Sequence, residues 1–265
     1  MTDDELAARF LADGFVCLRG AVPAATARAC AELLWDETGC DPDDPATWTQ
    51  PVHWIGGMAQ RPFAEAANTP VLRDAYDRLA GPGRWEPRYS LGSFPLRFPH
   101  AEEPDDAGWH VEASFLPEGG GQYRTNVRSK GRALLMLFLF SEVGEQDAPT
   151  CIRVGSHLDV PPVLAPYGED GASIFDVAAQ IDAASAHRPL AHATGAPGDV
   201  YLCHPFLVHA AQPHHGTRPR FMAQPPLIAP EPYPLDPPAG DVPPVEQAIR
   251  TGLAGAAREG SAFKG

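Results

Sequence analysis

The chain has little positive charge, few cysteines and no long apolar run. Lysine and arginine together number 20 against 34 aspartates and glutamates, which gives a net charge of −14 with neutral histidines. Because no basic stripe is available to follow a phosphate backbone, we expect no nucleic acid partner. The five cysteines include no Cys-x-x-Cys pair, and their odd number argues against a complete disulfide framework.

Features of membrane and secreted proteins are also missing from the sequence. The longest apolar stretch, residues 133–140, is far too short to span a bilayer. The first five residues, Met-Thr-Asp-Asp-Glu, are acidic, whereas a secretory signal needs positive charge followed by an apolar run. These absences predict a cytoplasmic protein without a membrane partner.

The length and composition are sufficient for one substantial hydrophobic core. The chain has 265 residues, of which 44% are hydrophobic, and its 30 prolines and 25 glycines exceed average use. Such a composition favours many short elements joined by turns. We therefore predict a single domain over 1–265, with a mainly helical part at 1–84, a β core at 85–228 and an extension at 229–265. A helical insertion in the β core is expected at about 158–190.

Helix start and stop signals occur near both ends of the chain. Residues 2–14 begin with a Thr-Asp-Asp-Glu cap and stop at a glycine, and residues 23–38 begin with a proline. A third helix is predicted over 70–80, before Gly-Pro-Gly, and a final one over 245–258. The segment 41–62, rich in aspartate, proline and tryptophan, is predicted to be irregular.

Short apolar or alternating runs separated by turn residues dominate the middle of the chain. Eight such runs predict strands at 88–98, 108–115, 133–140, 150–154, 191–193, 199–203, 206–211 and 220–225. One earlier strand is expected at 15–19, and the proline-rich segment 225–245 is expected to cross the surface. This pattern predicts a mostly β fold with flanking helices, whose core is a double-stranded β-helix of the jelly-roll or cupin kind.

The most informative local feature is His110-Val-Glu112, followed 97 residues after Glu112 by His209. A strand repeats every two residues, so His110 and Glu112 are expected to project from the same face of one extended segment. A second strand could add His209 beside them. Two imidazoles and one carboxylate, with the remaining metal positions open, suit a non-haem Fe(II) oxygenase.

Arg220 lies eleven residues beyond His209, where a following strand could return its guanidinium toward the same site. A planar cation with paired N–H groups suits the far end of a dicarboxylate that chelates a metal. Arg218 is the alternative, although Thr217 and Pro219 indicate that it still belongs to the preceding turn. The pattern therefore favours Arg220 as the anchor of a dicarboxylate cosubstrate such as 2-oxoglutarate.

Other histidines compete for the role of His209. His204 is five residues earlier, an odd step that would place it on the opposite face of the same strand. His214 and His215 lie in a Gln-Pro-His-His-Gly-Thr turn, where solvated imidazoles are ordinary. His157 is predicted to be structural and to fix the loop after a core strand.

These motifs, in this order, resemble the phytanoyl-CoA dioxygenase family. The similar segments are Phe-Leu-Ala-Asp-Gly-Phe-Val-Cys-Leu-Arg-Gly at 10–20, Trp-His-Val-Glu at 109–112, Ala-Pro-Thr-Cys-Ile-Arg-Val-Gly-Ser-His at 148–157, Pro-Gly-Asp at 197–199 and Arg-Phe-Met-Ala at 220–223. By matching position, the resemblance implies that His110, Glu112 and His209 bind iron. It also implies that Arg220 pairs with the distal carboxylate of 2-oxoglutarate.

Two positions depart from the usual pattern of that family. The acidic ligand is Glu112, where aspartate is commoner, so the side chain is longer by one methylene group. Position 211 is alanine, where relatives often place a hydroxyl group against the cosubstrate. Arg97 is expected on the strand before the metal motif, from which relatives often contact the cosubstrate or substrate. A surface salt bridge is the alternative role for Arg97.

Together, the triad and the resemblance predict a non-haem Fe(II)- and 2-oxoglutarate-dependent dioxygenase. It would hydroxylate a small organic metabolite with dioxygen and release succinate and carbon dioxide. Two other classes remain open: a cupin-type metalloenzyme, such as a hydrolase or isomerase that uses the triad without 2-oxoglutarate, and a non-catalytic module that binds a metal or a small molecule. The presence of Glu112 argues against a halogenase, which needs that ligand position for halide.

Overall fold

The computed structural model describes residues 2–236 and 241–262, where it contains seven α-helices and twelve short β-strands. The helices are α1 (Asp3–Asp13), α2 (Ala24–Thr38), α3 (Arg61–Ala67), α4 (Pro70–Ala80), α5 (Val160–Leu164), α6 (Ile174–Ser185) and α7 (Pro244–Ala262). The strands are β1 (Phe15–Leu18), β2 (Val52–Ile55), β3 (Phe94–Arg97), β4 (Arg124–Thr125), β5 (Leu134–Leu139), β6 (Cys151–Arg153), β7 (Ala172–Ser173), β8 (Leu190–His192), β9 (Val200–Cys203), β10 (His209–Ala210), β11 (Met222–Ala223) and β12 (Pro226–Leu227).

Helix α1 shows how the predicted start and stop signals act. The Thr2 hydroxyl accepts a hydrogen bond from the Glu5 backbone N–H, and the Glu5 carboxylate accepts one from the Thr2 backbone N–H. Gly14 ends the helix with φ of 84°, and a Cβ atom at this position would lie 2.5 Å from the His157 ring. Helices α2, α4 and α7 likewise confirm the helices predicted there. None of the described helices is both long and apolar enough to cross a membrane.

The larger sheet is antiparallel, and β5 is its central strand. The strand order is β1-β9-β5-β11, and β12 also pairs with β5. Alternate residues of β5 face two apolar clusters: the main core on one side, and on the other a smaller cluster that includes Ile152 and Tyr201. Burial on both faces explains why this strand is a continuous apolar run.

Three smaller sheets complete the described structure: β10-β6-β8, β2-β3 and β4-β7. In the β2-β3 pair, Val52 lies opposite Arg97 and Trp54 lies opposite Pro95. Residues opposite each other in an antiparallel pair point to the same face, so these four side chains share one face. The other two residues of β3 are fully buried in the core. The β2-β3 pair therefore has a core face and a face that carries Arg97.

The segments 41–62 and 88–98 differ from their predictions. The first is not irregular throughout, because it contains β2 and the start of α3. Its strand depends on pairing with the distant β3, which the local composition does not reveal. The second contributes only β3 to a ladder, since Leu91 forms just an isolated bridge with Met58.

The predicted strand 108–115 is wrong in form, although the segment still meets its expected neighbour. Only His110 and Phe115 make isolated bridges, to His209 and Arg124 respectively. The residues between these two bridges form no regular ladder, although the Ser114 N–H also donates to the Arg124 carbonyl at 2.8 Å. Strands β10 and β11 are also shorter than the predicted 206–211 and 220–225.

The expectation that 225–245 crosses the surface is wrong for the first part of that segment. Strand β12 pairs with β5, and Leu227, Ala229 and Tyr233 are buried. The Tyr233 hydroxyl donates a hydrogen bond to the Ala80 carbonyl at the end of α4. Residues 237–240 lie outside the described residues. The apolar side chains carried by this proline-rich segment thus close one side of the core.

Candidate active site

His110 and His209 are held together by their own backbones. The backbone N–H of each residue donates to the carbonyl oxygen of the other, and both N···O distances are 3.0 Å. His209 also belongs to β10, where it pairs with Ile152 of β6. The two imidazole rings lie on the same side of this pair, with ring centroids 4.5 Å apart. Sheet pairing therefore brings together two rings that are 99 positions apart in the sequence.

The carboxylate of Glu112 completes a group of three potential metal ligands. Its Oε1 atom lies 3.5 Å from His209 Nε2 and 4.0 Å from His110 Nε2. One ligand atom from each of the three residues lies within 4.8 Å of the other two. Two nitrogens and one oxygen in a compact group match the donor set of an iron, zinc or manganese site.

Both imidazoles are oriented so that Nε2 is the free nitrogen. His110 Nδ1–H donates to the Gly108 carbonyl at 2.7 Å, and His209 Nδ1–H donates to the Leu207 carbonyl at 3.0 Å. His209 Nε2 is buried and has no hydrogen-bond partner among the described residues. Burial, with a smaller contribution from His209, lowers the pKa of His110, so the ring is neutral near pH 7. An imidazole whose Nδ1–H is held by a carbonyl leaves Nε2 available to a metal.

Glu112 is ionised in this environment. Burial by itself would raise the pKa of Glu112, but the contact with His209 and the charge of Arg132 outweigh it and lower the pKa to about 2. Arg132 Nη2 lies 3.8 Å from Glu112 Oε2 and donates a hydrogen bond to the Ala113 carbonyl at 2.9 Å. The third potential ligand is therefore a carboxylate with a cation behind it.

The triad opens into a cavity of about 460 Å³, a size typical of small-molecule sites. The lining residues are Trp54, Ser93, Pro95, Arg97, Asp106, His110, Glu112, Arg132, Thr150, His209, Ala211, Arg220, Gln224 and Pro226. Three arginines and two acidic residues are among them, so the lining carries a net positive charge although the chain as a whole is acidic. A pocket lined in this way favours an anionic ligand.

Arg220 is the most deeply buried of these cations, with 1% of its surface exposed. Its guanidinium donates to the carbonyls of Ala148 and Pro95, at 2.6 and 2.8 Å, and its Nε has no partner among the described residues. Burial and the nearby charge of Arg97 lower the pKa of Arg220 to about 9. A buried cation that contacts only carbonyl groups and lies near a second cation is well placed to bind an incoming carboxylate.

Arg97 lies beside Arg220 but has an acidic partner of its own. The two residues exchange backbone hydrogen bonds at 2.8 and 3.0 Å, and Arg97 Nη2 donates to Asp106 Oδ2 at 2.5 Å. Only 2% of Arg97 is exposed. Arg97 is therefore a buried residue of the cavity wall, and its charge is balanced within the protein.

The sequence matches the family model of phytanoyl-CoA dioxygenase over residues 10–222. The chain belongs to the phytanoyl-CoA dioxygenase family. The match includes all three triad residues and Arg220, which the structure brings to one cavity. None of the curated proteins matches this family member significantly by sequence.

Solved structures share the fold of this family member at low sequence identity. The epimerase SnoN from nogalamycin biosynthesis, in complex with Fe³⁺, α-ketoglutarate and nogalamycin RO, has a TM-score of 0.53 and 18% identity over 91% of this chain and 92% of its own. HygX from Streptomyces hygroscopicus, with nickel and 2-oxoglutarate bound, has a TM-score of 0.52 and 15% identity over 84% and 85%. The α-ketoglutarate-dependent carbocyclase SnoK from nogalamycin biosynthesis has a TM-score of 0.50 and 16% identity over 84% of both chains.

The residues considered as alternatives to His209 and Arg220 lie outside the cavity. His204 is buried and donates through Nε2 to the Val245 carbonyl, and His157 donates through Nε2 to the Leu11 carbonyl. Arg218 is exposed and pairs with Asp147 at 3.2 Å. His214 Nε2 bonds to the Arg218 carbonyl, and His215 is exposed.

Arg132 and Trp54 are among the side chains of the site that sequence patterns missed. Arg132 immediately precedes the apolar run of β5, and a charge next to a buried strand was the one available signal. Trp54 lies in the segment predicted to be irregular, and 62% of it is exposed at the cavity mouth. Both residues reach the cavity through long-range packing, which leaves no periodic pattern in the sequence.

Proposed function

We propose that this protein is a non-haem Fe(II)- and 2-oxoglutarate-dependent dioxygenase that hydroxylates a small organic metabolite and releases succinate and carbon dioxide. The observation that carries the proposal is the meeting, in one cavity, of His110, Glu112 and His209 with Arg220. The three ligands suit Fe(II), and Arg220 suits the distal carboxylate of 2-oxoglutarate. Membership of the family and the presence of metal and 2-oxoglutarate in SnoN and HygX support the same function.

In this proposal each residue has a defined task. His110 and His209 would bind iron through Nε2, Glu112 would bind it through Oε1, and the metal positions toward the cavity would stay open. Arg220 would hold the distal carboxylate of the cosubstrate, and Arg97 would shape the same end of the cavity. Bound iron and 2-oxoglutarate supply the chemistry by which dioxygen turns the cosubstrate into succinate and carbon dioxide and oxidises a substrate C–H bond.

The protein's own contribution is orientation and exclusion of water. The carbonyls that accept from the two Nδ1–H groups fix the imidazole tautomers before the metal binds. The buried Arg220 offers charge-assisted hydrogen bonds in a poorly hydrated place, where they are stronger than in water. The exposed ring of Trp54 gives the cavity mouth an apolar surface on which a substrate could rest.

The substrate we propose is a small metabolite, such as an intermediate of natural-product biosynthesis. The size of the cavity agrees with a small molecule, and the similar proteins SnoN and HygX were solved with nogalamycin RO and hygromycin B. SnoN and SnoK are described as an epimerase and a carbocyclase, so the product must be analysed in the test. Glu112 occupies the position that a halogenase would need for halide.

We further propose that the chain folds as a single domain around a double-stranded β-helix. The β1-β9-β5-β11 sheet and the β10-β6-β8 sheet would be its two halves, with the small apolar cluster around Ile152 between them. In such a fold the triad lies where strands from one half meet the loops that cover the barrel mouth. Limited proteolysis that yields two stable fragments, each with its own cooperative unfolding, would contradict a single domain.

The proposed function is tested by measuring succinate formed from 2-oxoglutarate in air. We expect succinate to require both Fe(II) and dioxygen, to be absent with Zn(II), and to be lost in His209→Ala but retained in Arg218→Ala. A hydrolase or isomerase of the cupin type would be active with Zn(II) or Mn(II) and form no succinate. A binding module would take up metal without turnover, and either of these results would contradict the proposal.

A further inference from the structure

The two oxygens of Glu112 face different partners. Oε1 lies toward the imidazoles, 3.5 Å from His209 Nε2 and 4.0 Å from His110 Nε2. Oε2 lies toward Arg132, whose Nη2 is 3.8 Å away. One oxygen is thus available to a metal between the rings, while the other faces a fixed cation. This division is the arrangement expected of a ligand that is held from behind.

Arg132 is itself held against the segment that carries Glu112. It is 6% exposed, and its Nη2 donates to the carbonyl of Ala113, the residue that follows Glu112. The turn before Arg132 packs closely on the same segment. A Cβ atom at Gly131, whose φ is 83°, would lie 2.7 Å from the Ser114 carbonyl oxygen. The position of Arg132 is therefore coupled to the backbone around Glu112.

A cation beside Glu112 Oε2 would help to orient the carboxylate for metal binding. Between the bridges of His110 and Phe115 the segment forms no regular ladder, so fewer backbone hydrogen bonds fix it than fix a strand. Glutamate also has one more rotatable bond than aspartate, and more rotamer freedom is lost when it binds. A cation that holds Oε2 would reduce that loss by orienting the carboxylate before the metal arrives.

We propose that Arg132 is a positioning residue, which holds Glu112 Oε2 so that Oε1 faces the metal position between His110 and His209. The inference rests on the proposed function only in requiring that the triad binds a divalent metal. Arg132 has no assigned contact with substrate or cosubstrate in this role. The effect of Arg132 on metal affinity should depend on the presence of glutamate at position 112. A general effect of its charge would be the same with aspartate there.

The test is a double-mutant cycle in which Co(II) affinity is measured by the visible absorption of the bound ion. Removing a cation beside a dication by itself favours metal binding, so a loss of affinity in Arg132→Gln points to lost positioning. We expect that loss to be about tenfold. In the Glu112→Asp background, whose shorter side chain draws the carboxylate away from Arg132, the same substitution should change affinity by less than about twofold.

Two further variants keep the result interpretable. Arg88→Gln removes a cation near Arg132. Among the described residues the Arg88 guanidinium donates only to the carbonyls of Ser90 and Pro226, so Co(II) affinity should hold or rise. Arg132→Lys keeps a cation that can reach Oε2 and should recover part of the affinity lost in Arg132→Gln. Thermal unfolding of each variant shows that the compared proteins are folded.

Three results would overturn the inference. The first is an unchanged or higher Co(II) affinity in Arg132→Gln, and the second is an equal loss in the Glu112 and Glu112→Asp backgrounds. The third is normal Co(II) affinity with weakened 2-oxoglutarate binding, which would make Arg132 a cosubstrate contact. If the wild-type protein binds Co(II) but no 2-oxoglutarate, the proposed function fails while the positioning role of Arg132 still stands.

Discussion

The protein contains two close pairs of histidines that use their nitrogens in opposite ways. In the first pair, His110 and His209, the ring centroids are 4.5 Å apart, and both rings donate through Nδ1 to carbonyls two residues earlier. In the second pair, His157 and His204, the centroids are 5.1 Å apart, and both rings donate through Nε2 to carbonyls on distant helices. The first pair leaves Nε2 free toward a cavity, whereas the second uses it to join chain segments.

This difference shows what separates a candidate ligand from a structural histidine. The His157–His204 pair links the Leu11 carbonyl of α1 with the Val245 carbonyl of α7, and both rings are fully buried. His204 Nδ1 also accepts from the Phe206 backbone N–H, which leaves that ring no free nitrogen. Residue type alone does not distinguish the pairs. The hydrogen bond made by the other nitrogen does.

The largest expected effect follows from removing one ring of the first pair. His110→Ala or His209→Ala should weaken Co(II) binding by more than the 10- to 100-fold that is typical of losing an outer partner, because a direct ligand is lost. Both variants should remain folded, because the Nε2 atoms of His110 and His209 make no hydrogen bond that links distant segments. Isothermal titration with Co(II), combined with thermal unfolding, measures both quantities. Retained Co(II) affinity in both variants would contradict the assignment of His110 and His209 as metal ligands.

The second prediction makes the matching change in the structural pair. His204→Ala should destabilise the fold by roughly 2–4 kcal/mol, because it empties a packed site and removes the imidazole hydrogen bond to the Val245 carbonyl. Co(II) affinity of the folded variant should stay near that of the wild type. Urea unfolding gives the free energy, and titration of the variant at low urea gives the affinity. Loss of metal binding by protein that is still folded would contradict the division of roles.

The third prediction concerns pH and the same structural pair. Burial lowers the pKa of His157 to about 4, while an unfolded histidine keeps a value near 6.5. Since the unfolded state binds the extra proton, stability should be full above pH 6.5 and fall as pH drops toward 4. The difference corresponds to about 3 kcal/mol from His157. Urea unfolding between pH 7 and 4 measures this change in the free energy of unfolding. His157→Gln should make the free energy depend less steeply on pH in this range. An equally steep dependence in the variant would exclude His157 as the cause.

The sequence could predict the first histidine pair because its signals are local. His110-Val-Glu112, the strand of His209 and the spacing to Arg220 are short patterns, and the structure brings all four side chains to one cavity. The predicted local structure is wrong in one respect: His110 and Glu112 come together without lying on a regular strand. Two bridges fix the segment where the pattern suggested a continuous ladder.

The remaining features depend on contacts between distant segments. The ion pair of Arg97 with Asp106, the position of Arg132 behind Glu112 and the strand that carries Trp54 leave no periodic pattern. Each of these features depends on contacts with a segment elsewhere in the chain, so local sequence patterns do not predict it. Helix α6 in 158–190 and the helix predicted at 245–258 could be predicted, because apolar spacing along a helix is local, and α6 also has a local cap at Ser173.

The smallest expected effect extends the comparison from histidines to arginines. Arg220→Gln should weaken 2-oxoglutarate binding by one to two decades, because a charge-assisted contact contributes roughly 1.5–3 kcal/mol. Arg218→Gln should have almost no effect, since its guanidinium is largely exposed and pairs with Asp147. The dissociation constant of 2-oxoglutarate from the Co(II) protein gives both values. A reversed order would mean that Arg218 is the anchor.

The central claim is that the His110–His209 pair, Glu112 and Arg220 form one site for iron and 2-oxoglutarate. The most direct measurement is an anaerobic titration of the Fe(II) protein with 2-oxoglutarate, followed by visible absorption. We expect a weak charge-transfer band that saturates with 2-oxoglutarate, is absent in His209→Ala and requires more 2-oxoglutarate in Arg220→Gln. The absence of the band in wild-type protein shown to contain iron would contradict chelation of 2-oxoglutarate at this site.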